Sequence, residues 1–106
     1  MNRSINNLMN QMNLKKSLNT IKTVGQDLDY VLANETEYQF EIYIDRYNAV
    51  AFHIYGNTSS SYIEVRQWED SQQAYGKAVY SLRSNSDVAL FCNILISSSQ
   101  IRARRQ

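Results

Sequence analysis

Apolar positions recur along this chain with two periods, and the switch between them marks the segments. Leu14, Leu18, Ile21, Leu28 and Leu32, with the small Gly25 among them, are spaced by three, four and seven. That spacing predicts a helix over 14–33 whose weakest point is Gly25. An earlier stripe of Ile5, Leu8, Met9 and Met12 points to nearly the opposite side at ~100° per residue. Residues 1–13 therefore read as a separate short helix or arm, with Ser4 as its cap. From residue 37 the period falls to two. Tyr38, Phe40, Ile42 and Ile44 alternate with Glu37, Gln39, Glu41, Tyr43 and Asp45; Val50, Phe52 and Ile54 alternate with Ala51, His53 and Tyr55. Ile63 and Val65 then alternate with Tyr62, Glu64, Arg66 and Trp68. Two short polar connections, 45–48 and 56–61, turn these runs into a three-stranded antiparallel meander over 37–68.

Beyond the meander the period lengthens again. Tyr75, Ala78, Val79 and Leu82 form a helical face after Asp70 or Ser71 as cap, which predicts a helix over 71–83. A last element over 87–101, capped by Ser86 or Asp87, has apolar residues from Val88 to Ile96 that fit a buried helix or a fourth strand. Arg102, Arg104 and Arg105 favour the helix, because basic residues suit its C-terminal dipole. The expected class is α+β: N-terminal helices, a three-stranded meander, and C-terminal helices packed on one face of the sheet.

Composition narrows this picture. With 106 residues, no proline and three glycines, the chain has room for one domain and no linker. No apolar run approaches the ~18 residues of a membrane span, and the N-terminus has no signal-peptide core. The single cysteine, Cys92, has no partner for an internal disulfide. These features predict a cytoplasmic protein with no membrane contact.

Charge is unevenly spread. Residues 1–33 carry four basic and two acidic groups (4 − 2 = +2), residues 34–70 two and seven (2 − 7 = −5), and residues 71–106 five and one (5 − 1 = +4). The acidic third coincides with the meander. If helices bury one side of the sheet, the other carries Glu37, Glu41, Tyr43, Asp45, His53, Tyr55, Tyr62, Glu64, Arg66 and Trp68. Rigid aromatic side chains among charges are the composition of a protein interface. Glu41, Tyr43, Asp45, Tyr55, Tyr62, Glu64, Arg66 and Trp68 are thus the candidate partner-binding residues.

Nucleic acid fits that face poorly, because its carboxylates outnumber Arg66 and phosphate would be repelled. A nucleic-acid contact would instead use the Arg102–Arg105 tail, which defines the alternative reading of a small DNA- or RNA-binding regulator. A further alternative is a homodimer formed through the methionine-containing arm. His53, Glu64, Arg66 and Tyr43 are residue types that small ribonucleases use, but on a phosphate-repelling face. Leu90-Phe91-Cys92-Asn93-Ile94 reads as core, so Cys92 is not an expected nucleophile. One His, one Cys and no glycine-rich loop predict no metal site, no cofactor and no enzymatic activity.

The meander followed by Trp68-Glu69-Asp70-Ser71-Gln72-Gln73-Ala74-Tyr75-Gly76-Lys77-Ala78 resembles two groups. One is the AP2-like DNA-binding domain, whose third strand leads into a helix and whose open sheet reads DNA with arginines and tryptophans. Arg66 and Trp68 match it in kind, while the acidic residues depart from it. The other is the set of small phage-encoded inhibitors that includes anti-CRISPR proteins, which the chain resembles in architecture over residues 37–83. That resemblance implies a non-enzymatic inhibitor. It would dock its acidic, aromatic sheet face on a basic nucleic-acid-binding site of a host defence protein, such as a CRISPR effector complex.

Overall fold

The computed structural model describes residues 12–104, with side chains over 12–99. The predicted arm therefore lies, apart from Met12 and Asn13, outside the described residues. Met12 is buried in the domain's own core. The elements in order are α1 (Leu14–Asp27), β1 (Val31–Ala33), β2 (Gln39–Asp45), β3 (Val50–Asn57), β4 (Tyr62–Glu69), a 3-10 turn (Asp70–Gln72), β5 (Ala74–Leu82) and α2 (Asn85–Arg104). The class is α+β as expected, but the sheet has five antiparallel strands in the order β1-β2-β3-β4-β5 rather than three.

Three boundaries differ from expectation, each for a local reason. Asn13 caps α1 by accepting from the Lys16 amide at 3.0 Å. The helix then stops at Asp27 instead of residue 33. Asp29 adopts a left-handed φ of 61°, its amide donates to Gln26 O at 3.0 Å, and the Tyr30 amide donates to Gly25 O at 2.9 Å. This is the double hydrogen bond of a Schellman stop. Leu32, on the helical stripe by spacing, instead pairs with Ile42 as the middle of β1. Gly25 does not break α1. A Cβ there would lie 2.5 Å from Ile42 Cδ1, so glycine is what lets the helix approach the sheet.

The second difference is the expected helix over 71–83, which is a single 3-10 turn followed by β5. Gln73, with φ of 51°, ends the turn; Gly76 then weakens a helix, and Val79 and Tyr80 suit a strand. The strand-to-helix junction of the AP2-like pattern is therefore not present. The third concerns residues 87–101, which are helical within α2. Its start is fixed by Ser84, not by Ser86 or Asp87 as caps. Ser84 Oγ accepts from the Asp87 amide at 3.2 Å, while the Asp87 carboxylate accepts from the Arg83 amide at 2.8 Å. These reciprocal bonds satisfy donors at the helix start, much as a capping box does.

Both helices bury one side of the sheet. Phe40, Ile42, Ile44, Phe52, Ile54, Ile63 and Val65 meet Leu18 and Ile21 of α1 and Val88, Phe91 and Leu95 of α2 in one core, with Tyr38 and Val50 packed at its margin. This is the inward set expected from the alternation. Phe52 and Phe91 join sheet to helix edge-on, with ring centroids 5.5 Å apart. The buried Tyr30 hydroxyl donates to Leu95 O at 2.7 Å and ties the end of α1 to α2. Among the described residues, no helix is long and apolar enough to cross a membrane.

Candidate functional site

Strand register determines which side chains share the open face. Glu41 lies opposite His53, His53 opposite Arg66, Tyr55 opposite Glu64, and Trp68 opposite Tyr75. The face is not flat. From Tyr80 to Ala78, β5 spends two residues on one step of β4, and from Ala78 to Tyr75 three residues on two steps. Each surplus residue is a bulge, and bulges bend and twist the strand that carries them.

Tyr75, on β5, donates its hydroxyl to Glu41 Oε1, on β2, at 2.6 Å. Three strand spacings separate those strands by about 14 Å in a flat sheet, so the two side chains reach toward each other across β3 and β4. Together they close over one end of the open face. Tyr75 also packs against His53 (centroids 5.5 Å apart) and edge-on against Trp68 (5.2 Å). Burial, and then its bond to Glu41, push the Tyr75 phenol well above its ordinary value, so it remains a donor.

Eight residues were singled out from sequence, and the structure divides them. Glu41, Tyr43, Asp45 and Trp68 line one cavity of about 270 Å³, together with Tyr75 and Ala51. Asn34 Nδ2 donates to the second oxygen of Glu41, so the carboxylate is held by two neutral donors. Asp45 accepts from the Asn48 amide at 3.1 Å and from Asn48 Nδ2 at 2.6 Å, which shapes the β2–β3 turn. Trp68 Nε1 donates to Asp70 Oδ1 at 3.2 Å.

Tyr55, Tyr62, Glu64 and Arg66 form a separate strip. There Arg66 Nε donates to Glu64 Oε1 at 2.5 Å and Arg66 Nη1 to Gly76 O at 3.1 Å, while Tyr62 donates to Glu64 Oε2 at 3.4 Å. The Arg83 guanidinium covers the Tyr62 ring at 4.2 Å. This strip's charges satisfy one another within the chain. Glu37 is not on the face at all: it precedes β2 and pairs with Lys15 of α1 at 2.5 Å.

Tyr75 was missed because it was assigned to a helix; Gly76 beside it and the aromatic and β-branched residues that follow were the available signal. His53 Nε2 is engaged with Gln39 Oε1 at 3.0 Å. Cys92 is buried in the helical layer, on the other side of the sheet from His53, and burial pushes its thiol pKa up. Of the basic tail, Arg102 and Arg104 fall within α2 by backbone, and their side chains and Arg105 lie outside the described residues. Among the described residues, no group of three or more His, Cys, Asp or Glu side chains could hold a metal ion. Comparison with known family models, curated proteins and solved structures finds no significant match to this chain.

Proposed function

We propose that the protein is a non-enzymatic binding module that docks the cavity-bearing end of its open sheet face on a basic site of a partner protein. Its action there would be inhibition of a nucleic-acid-processing host protein, the role implied by the resemblance to small phage-encoded anti-CRISPR inhibitors. One observation carries the reading: half-buried Glu41, Tyr43 and Trp68 surround a cavity, and among the described residues Glu41 is held by neutral donors rather than by a cation. A carboxylate fixed in place and left without a countercharge attracts a basic surface, and partly desolvated aromatics beside it supply the apolar contact.

The test is capture of partners from nuclease-treated bacterial lysate by the wild-type protein and by a Y43A/W68A variant. A discrete protein held by the wild type and lost from the variant is expected, since central aromatic anchors each contribute about 2 kcal/mol or more. A partner retained equally by both, or recovery of nucleic acid alone from untreated lysate, would refute the reading.

A further inference from the structure

We infer that the cavity between Tyr43 and Trp68 is a receptor for one arginine side chain of the partner protein. The inference rests on the docking reading for its biological role, but its chemistry stands on the cavity. Tyr43 is opposite Ala51 on β3, and the Phe52–Gln67 pairing brings Ala51 alongside Trp68. Two aromatic side chains therefore rise from strands two apart, with only a methyl group on the floor between them. Strands two apart are separated by about 9.6 Å. A flat group in van der Waals contact with a ring on each side needs about 7–8 Å. The opening thus suits a single planar group.

The volume, about 270 Å³, accommodates a side chain and falls short of the usual range for a drug-sized ligand or cofactor. The sign of charge follows from the walls. Among the described residues, Glu41 and Asp45 line the cavity with one exposed cation, Arg46, and aromatic faces attract positive charge. A guanidinium is both flat and cationic, stacks on rings, and offers paired N–H donors to carboxylates; a lysine ammonium is a compact point charge that does none of the stacking. The same chain already shows this preference, with the Arg83 guanidinium lying over Tyr62 at 4.2 Å. Arg46, on the β2–β3 turn, borders the cavity and competes with an incoming arginine.

Trp68 is the only tryptophan, so its fluorescence reports on the site directly. The full chain is titrated with blocked Gly-Arg-Gly, Gly-Lys-Gly and Gly-citrulline-Gly peptides, and the same peptides are followed by amide chemical shifts. Saturable binding of the arginine peptide is expected, about tenfold tighter than the citrulline peptide, which keeps the shape and lacks the charge. Lysine should bind more weakly than arginine. A51L, which fills the floor without altering charge, should abolish binding, and R46A should tighten it. Y43A provides a second block should A51L fail to fold.

No saturation with the arginine peptide, equal binding of citrulline, or unchanged binding in folded A51L and Y43A would overturn the inference. Those results would leave partner capture untouched. Conversely, a bound arginine peptide with no partner lost on Y43A/W68A would remove the docking reading and keep the receptor site.

Discussion

The hydrogen bond from Tyr75 to Glu41 ties β5 to β2 across the open face, and Y75F isolates it. The substitution keeps the ring, and with it the packing on His53 and Trp68, and removes only the hydroxyl that reaches Glu41 Oε1 at 2.6 Å. Hydrogen bonds to charged groups contribute about 1.5–3 kcal/mol, and the half-exposed position places this one near the lower end, about 1.5 kcal/mol. For a domain of this size that corresponds to a fall in melting temperature of roughly 6–12 °C. Urea unfolding followed by Trp68 fluorescence gives the same quantity at room temperature. A cycle with E41Q sharpens the test, because the amide oxygen still accepts but is neutral. In that background Y75F should cost about half as much. A Y75F variant as stable as wild type within about 0.3 kcal/mol, or an equal loss in both backgrounds, would refute the idea that this charged bond ties the hairpin across the face.

Three further outcomes follow from other parts of the molecule. G25A should destabilise by about 1 kcal/mol, since overpacking against the fully buried Ile42 outweighs the helical gain. In an I42V background, which removes the clashing methyl, G25A should stabilise instead; harm in both backgrounds, read by urea unfolding, would contradict the proposed close approach. Because the Tyr75 phenol is held above its unfolded value of 10.0, the unfolded chain releases its proton first as pH rises. Stability should then decline above about pH 10 by up to ~1.4 kcal/mol per unit, a component absent from Y75F, and identical alkaline limbs in denaturation curves would argue against it. Cys92, buried with a raised thiol pKa, should react with a thiol reagent only as fast as the core opens, so rapid labelling of the native protein would be the contrary result.

Much of the core was legible because alternation is faithful where strands are regular. Phe40, Ile42, Phe52, Ile54, Ile63 and Val65 all face the helices, as their period predicts. Three features escaped for related reasons. The stop of α1 depends on Asp29 taking a left-handed conformation, which is decided by Tyr30 and Leu32 being pulled into the core and β1, not by a glycine signal. β5 hid because its two bulges disrupt its period: buried Leu82 and exposed Tyr80, which packs on Phe91, lie on the helical side, while Ala78 and Tyr75 pair with the open-face residues Arg66 and Trp68. Read as a simple alternation, that strand fails; read at helical spacing, Tyr75, Val79 and Leu82 happen to fit. Glu41, Tyr43, Asp45 and Trp68 were placed on one face by alternation, which β2 keeps despite one irregularity between Tyr43 and Asp45, whereas Tyr75, which closes the cavity over them, lies on the doubly bulged β5.

The acidic middle of the chain acquires a different meaning once its partners are known. Glu35 pairs with Lys22 at 3.8 Å and Glu37 with Lys15, both cations of α1, while Glu64 pairs with Arg66 of its own strand, so these three carboxylates each answer a cation. Such exposed pairs contribute little to stability, but they cancel the field at long range. Glu41 and Asp70 instead accept from Asn34 and Tyr75, and from Trp68 and Gln73, all neutral. A neutral donor fixes a carboxylate in place without cancelling its charge. Among the described residues, carboxylates held by neutral donors thus gather beside Trp68 and Tyr75, at the end of the open face where the cavity lies. β5, which its bulges hide from its hydrophobic period, supplies through Tyr75 the side chain that joins a carboxylate and the aromatic walls around that cavity.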